Sequence, residues 1–135
     1  MADIRKVTDT FSVASQLTKS DIDQAAALGF KTIICNRPDN EDFQQPDIAS
    51  LKIHAETVGL IYLALPFSGA PPLEIVDQMG ELIENTEKPV LAYCRSGTRS
   101  ITAWALSQRG TNQRELILKQ AADAGYDLRG LASAL

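Results

Sequence analysis

The residues best suited to chemistry form one run, Cys94-Arg95-Ser96-Gly97-Thr98-Arg99-Ser100. A small buried cysteine has no need of two arginines, three hydroxyls and a glycine as neighbours. Just upstream, Val90-Leu-Ala-Tyr93 is a brief apolar run led in by Pro89, and it reads as a buried strand. Just downstream, residues 101–109 have helical spacing and halt at Gly110. In a strand, tight loop and helix, the unpaired N–H groups of the first helical turn face the loop and bind anions. The anion can be the cysteine's own sulfur. Thiolate is the nucleophilic form of cysteine, and a helix N-terminus with arginines nearby favours it. Cys94 is therefore the expected nucleophile, and Arg99 the expected partner of an anionic substrate. Arg95 is expected to steer anions at the mouth, with Ser96, Gly97, Thr98 and Ser100 completing the substrate-binding loop. Gly97 suits a place where backbone must approach a ligand. Ser100 is placed either to hydrogen-bond the Cys94 sulfur or simply to start the helix. Arg37, just past another strand, is a further positive contact or else a surface turn residue.

The elements that must position this loop are legible in the pattern. Residues 11–15 read as an opening strand, and Thr18 with Asp21 can cap a helix that runs to Leu28. Residues 31–36 form the next strand, closed by the turn Arg37-Pro38-Asp39. A polar loop over 40–45 follows. Pro46 suits a first helical position, with Ile48, Leu51, Ala55 and Val58 as one apolar stripe. Residues 60–65 read as a third buried strand, 66–72 as an irregular loop, and 73–85 as a helix with Ile75, Val76, Met79, Leu82 and Ile83 inward. Beyond the cysteine helix, Asn112 with Glu115 can cap a helix through Ala124, and residues 128–135 form a short helical end. Strands alternating with helices of this length imply an α/β fold. Its central sheet is mostly parallel, of four or five strands, with helices on both faces. Sites in such sheets gather at the carboxyl ends of the strands. That puts Cys94, the 36–38 turn and the 66–72 loop on one edge.

With 135 residues and 44% apolar side chains, the chain fits one domain, 1–135, with a real core. A net charge of −4 leaves no basic footprint for nucleic acid. No apolar run approaches membrane-spanning length, and residues 1–7 lack the apolar core of a signal peptide. Two cysteines without an export signal imply free thiols in a reducing cytoplasm. No glycine-rich nucleotide loop and no His/Cys metal spacing occurs, so neither cofactor nor metal is expected. Cys35 reads as a buried strand cysteine in preference to a resolving thiol. His54 and Trp104 read as structural.

Ile33-Ile34-Cys35-Asn36-Arg37-Pro38, the Cys94–Ser100 loop and the layout as a whole resemble the phosphatase-like domain of the beta-lactamase hydrolase-like family. The resemblance implies a protein tyrosine phosphatase-like fold, found alone or fused to a metallo-beta-lactamase-type domain linked to persulfide oxidation. A persulfide-oxidising partner is then expected to be a separate protein. Two features depart from the phosphatase signature, which has five residues between cysteine and arginine and a histidine before the cysteine. Here four residues separate Cys94 from Arg99, and Tyr93 stands where the histidine would. Cys-Arg-x-Gly-x-Arg resembles instead the active-site loop of rhodanese sulfurtransferases.

Physical reasons point the same way. A shorter ring of amides is narrower and suits one sulfane sulfur better than a tetrahedral phosphate. Ester cleavage also wants a proton donor for the leaving oxygen, and the 66–72 loop has no acid. Asp39, Glu41, Asp42 and Asp47 lie on another loop and read as solvated surface, with reach into the site as the alternative. A thiolate leaves unaided. The expected function is thus a rhodanese-like sulfurtransferase. Cys94 would accept sulfur from a small anionic donor such as thiosulfate or a persulfide, then pass it to a thiol acceptor. The alternatives are a phosphatase acting on phosphate esters through a Cys94 phosphocysteine, and a non-catalytic anion-binding module.

Overall fold

Residues 1–135 are all described in the computed structural model. In chain order the elements are β1 (Ile4–Lys6), β2 (Phe11–Ala14), α1 (Lys19–Ala27), β3 (Thr32–Cys35), α2 (Ile48–Thr57) and β4 (Ile61–Ala64). Then come α3 (Leu73–Asn85), β5 (Val90–Tyr93), α4 (Thr98–Ser107), α5 (Arg114–Asp123) and a terminal 3-10 helix, Arg129–Ala134. The sheet order is β1-β2-β5-β3-β4, with β2, β5, β3 and β4 parallel and β1 antiparallel at the edge. β5 therefore lies in the middle, flanked by β2 and β3, with Tyr93 in register with Cys35 and Ala14.

Successive strand residues face opposite sides, and here both sides are apolar. Ile33, Leu91 and Tyr93 pack under Ile22 and Ala25 of α1 and Leu51 and Ala55 of α2. Val13, Ile34, Val90 and Ala92 pack under Met79 and Ile83 of α3, Ile101 and Trp104 of α4, and Ile117 of α5. Trp104 stacks on Phe11 with ring centroids 5.8 Å apart. The expected α/β architecture, with helices on both faces, is the one observed. Thr18 and Asp21 form the expected capping box at α1. His54 Nε2 lies 2.7 Å from Asp23 Oδ1, tying α2 to α1.

Several boundaries differ from expectation. β1 is new: it is short and mostly exposed, so it carries no apolar signal. Pro46 is not the first helical residue of α2, because Asp47 takes the cap by accepting the Ser50 N–H at 2.7 Å. β4 is an edge strand and only partly buried. Asn112 does not cap α5; Gln113 sits at the cap without a side-chain bond, and Asn112 Nδ2 donates to Gln108 Oε1. α4 starts at Thr98, three positions before the first apolar residue of its stripe, Ile101. The last difference matters most, since it brings Thr98 and Arg99 into the first helical turn beside Ser100. No helix is long and apolar enough to cross a membrane.

Candidate active site

β5 delivers Cys94 to the carboxyl edge of the sheet, where its N–H still donates to Ala14 O at 3.3 Å. Gly97 then turns the chain into α4 with φ +94, a left-handed conformation that favours glycine. The turn folds the backbone back over the sulfur, and Gly97 N–H donates to Cys94 Sγ at 3.1 Å. Cys94 is almost wholly buried, so its sulfur lies on the floor of the loop. Ser96 Oγ donates to Thr98 Oγ1 at 3.0 Å on the exposed side. Arg95 is exposed at the mouth, and its carbonyl accepts the Gln16 N–H at 3.3 Å.

Ser100 does not bond the sulfur. It is buried inside the first turn of α4, and its hydroxyl has no partner. The loop is buttressed by Tyr126, which sequence spacing gave no reason to single out. Its hydroxyl donates to Ser96 O at 2.8 Å, and a β-carbon on residue 97 would overlap that hydroxyl.

Arg99 and Arg37 meet through one carboxylate. Arg99 Nη1 donates to Glu41 Oε2 and Nη2 to Glu41 Oε1, both at 2.8 Å, in a bidentate fork. Arg99 Nη1 also reaches Phe67 O at 3.1 Å. Arg37 Nε donates to Glu41 Oε1 at 2.9 Å and Nη1 to Gln16 Oε1 at 3.0 Å, while Nη2 has no partner. Arg37 is thus buried beside the loop, neither a surface turn residue nor a free contact. Glu41, expected among the solvated acids, is the hub of the cluster. The Arg99 fork is the chief influence holding its carboxyl far below the usual 4.5, at about 2; burial opposes it, and Arg37 adds to the lowering. The Glu41 bond in turn pushes Arg99 up. Of the other acids on that segment, Asp39 accepts the Ile48 N–H and Asp47 caps α2.

The strand ends converge as expected. Asn36 Nδ2 donates to Leu65 O, Phe67 N–H to Asn36 O, and Arg99 to Phe67 O. Cys35 lies on the α1/α2 side with Tyr62 and Tyr93, its thiol donating to Arg37 O at 3.3 Å. Burial pushes that thiol up, which opposes the thiolate that a resolving role needs. Both cysteines are free thiols. No group of three or more His, Cys, Asp and Glu side chains is placed to hold a metal. A surface cavity of about 720 Å³ lies between α5 and the segment 125–129 that follows it, and includes Tyr126 but neither Cys94 nor Arg99. What the site can do chemically rests on the loop itself, a buried sulfur under a backbone N–H with the Arg99 guanidinium near it and Arg37 joined to Arg99 through Glu41.

The family described as the phosphatase-like domain of beta-lactamase hydrolase-like protein matches residues 3–111. A beta-lactamase hydrolase-like protein of Agrobacterium fabrum is 32% identical over 126 residues, covering 91% of this chain and 29% of that protein. The chain thus spans under a third of the length of the curated relatives it matches. Among solved structures, a candidate phosphatase of Neisseria meningitidis Z2491 superposes with a TM-score of 0.86 at 37% identity, over 96% of this chain and 94% of the other. A kinase associated phosphatase superposes with a TM-score of 0.70 at 12% identity, over 98% of this chain and 89% of the other, a likeness of fold alone.

Proposed function

The chain belongs to the beta-lactamase hydrolase-like family through its phosphatase-like domain, and from that premise we propose that it is a cysteine-dependent hydrolase of phosphate monoesters. One observation supports the reading above the others: Gly97 N–H on Cys94 Sγ at 3.1 Å, with Arg99 in the helical turn that follows. Cys94 attacks phosphorus, an S–P bond forms as the ester P–O bond breaks, and the leaving oxygen takes a proton from water. Arg99 and the loop amides hold the phosphoryl oxygens as charge moves across them. Water then attacks the phosphocysteine, loses its proton to solvent, and returns the Cys94 thiolate with inorganic phosphate. The phosphatase-like character of the family and of the related structures favours phosphate over the sulfane donor that the loop spacing suggested.

The shortage of acids limits the substrate. Glu41 is ionised far below neutral pH while it is paired, and the 66–72 loop has no carboxyl. Without a positioned proton donor the leaving group must be weakly basic, so aryl phosphates are favoured over alkyl phosphates. Sulfur transfer remains the second reading on one observation, the four-residue spacing between Cys94 and Arg99. In it Cys94 attacks the sulfane sulfur of thiosulfate, sulfite leaves, and a thiol acceptor takes the sulfur from the Cys94 persulfide. Parallel assays separate the two. Wild type should hydrolyse para-nitrophenyl phosphate and Cys94→Ser should not. Cys94-dependent transfer from thiosulfate to cyanide without phosphate release would reverse the order.

A further inference from the structure

An anion that binds Arg99 must contend with one already there. Both terminal nitrogens of Arg99 are committed to the Glu41 carboxylate, in the planar fork that an oxyanion would use. A second carboxylate position stands open beside it. Arg37 already holds Glu41 Oε1 through Nε, yet its Nη2 is buried without a partner. Nε and Nη2 share one edge of a guanidinium, so a carboxylate seated on that edge engages both.

We propose that Glu41 is a two-position gate, whose carboxylate leaves Arg99 for the open edge of Arg37 when an oxyanion takes Arg99. Oε1 keeps its bond to Arg37 Nε throughout, and Oε2 trades Arg99 Nη1 for Arg37 Nη2. The exchange leaves Glu41 ionised and paired in both positions, and it gives the unpartnered donor a partner only in the liganded state. The segment that carries Glu41 is suited to a small movement. Its one large apolar side chain, Phe43, is 99% exposed and anchors nothing. Asn40 has φ 66, and the local ties are polar, from Glu41 N–H to Gln45 Oε1 and from Gln45 Nε2 to Pro38 O. The gate deepens the phosphatase reading and rests on it only for the identity of the incoming anion.

The test is calorimetric titration of the full chain with inorganic phosphate, for wild type, Glu41→Gln, Arg37→Lys and the double variant, each first checked by thermal melting. Removing the competing charge should tighten phosphate binding by about tenfold or more, the scale of one charge-assisted contact. Lysine keeps the charge of Arg37 but not its fork. Arg37→Lys should therefore weaken binding in the wild-type background and have little effect beside Glu41→Gln. Glu41→Ala repeats the first arm without the amide. Unchanged or weaker binding in the Glu41 variants overturns the gate and makes Glu41 an orienting partner of Arg99. Phosphate that binds no variant overturns it as well. Para-nitrophenyl phosphate turnover by the same samples separates the two claims. Turnover with no tightening in Glu41→Gln sinks the gate alone, and tightening without turnover sinks the phosphatase reading alone.

Discussion

At position 97 a β-carbon has nowhere to go. The backbone is left-handed there, and the Tyr126 hydroxyl fills the space above it. Gly97→Ala is expected to lose about 1–2 kcal/mol to the backbone conformation, and more to the overlap. Urea denaturation should show the loss, and Tyr126→Phe in the same chain should recover part of the overlap by removing the colliding oxygen, the ring carbon Cζ at 3.0 Å staying close. At Arg99 the fork geometry matters as much as the charge. Arg99→Lys is expected to lower kcat/KM on an aryl phosphate by about 100- to 1000-fold, the scale of losing one group that stabilises developing charge. Glu41 carries a pH signature of known sign. Its carboxyl sits at about 2 against an ordinary 4.5, so the stability it contributes is fully present above about pH 4.5. That contribution is lost as pH falls from there towards 2. The stability difference between wild type and Glu41→Gln should shrink over that interval. A constant difference down to pH 2 would mean the clamp contributes nothing in solution.

Among the elements, α1 is set by its start. Thr18 Oγ1 accepts the Asp21 N–H at 3.2 Å, and Asp21 Oδ2 accepts the Thr18 N–H at 2.9 Å. Thr18→Ala is expected to cost about 1 kcal/mol of stability, measured in urea, with kcat unchanged because the side-chain hydrogen bonds of α1 go to its own cap, to Ala2 and to His54 of α2. A fall in kcat would show that α1 shapes the site. The same local rules made the bounds of α3 and β5 readable from the sequence, since a strong 3.6-residue stripe and a four-residue apolar run each end at polar punctuation. They misjudged α4, whose first turn is Thr98-Arg99-Ser100, polar residues that carry no stripe. They also missed Glu41, because its contact with Arg99 joins residues 58 apart in the chain. Tyr126 meets Ser96 across 30 residues in the same way. Local pattern located the nucleophile and the loop, whereas the groups that brace the loop are brought in by the tertiary fold.

For the whole molecule the sheet divides two cores. Leu51 lies on the α1/α2 side and Met79 on the α3/α4 side, both fully buried. Leu51→Ala and Met79→Ala are each expected to cost about 2–5 kcal/mol. With a sheet between them they should add within about 0.5 kcal/mol, and a larger departure in the double variant would show that the two faces repack together. The central position of β5 holds Cys94 between both cores, and the family's phosphatase-like fold is this sheet with its loops gathered at one edge. The loop spacing, Tyr93 before the cysteine and the lack of an acid in the 66–72 loop favoured sulfur as the transferred group; the phosphatase-like family and related structures favour phosphate. The most direct measurement is intact-protein mass after acid quench of a brief reaction with para-nitrophenyl phosphate, on wild type and Cys94→Ser. A gain of one phosphoryl group in wild type, absent from Cys94→Ser and decaying as phosphate is released, is the expected result. No phosphoryl gain, together with gain of one sulfur atom from thiosulfate in the same experiment, would contradict it.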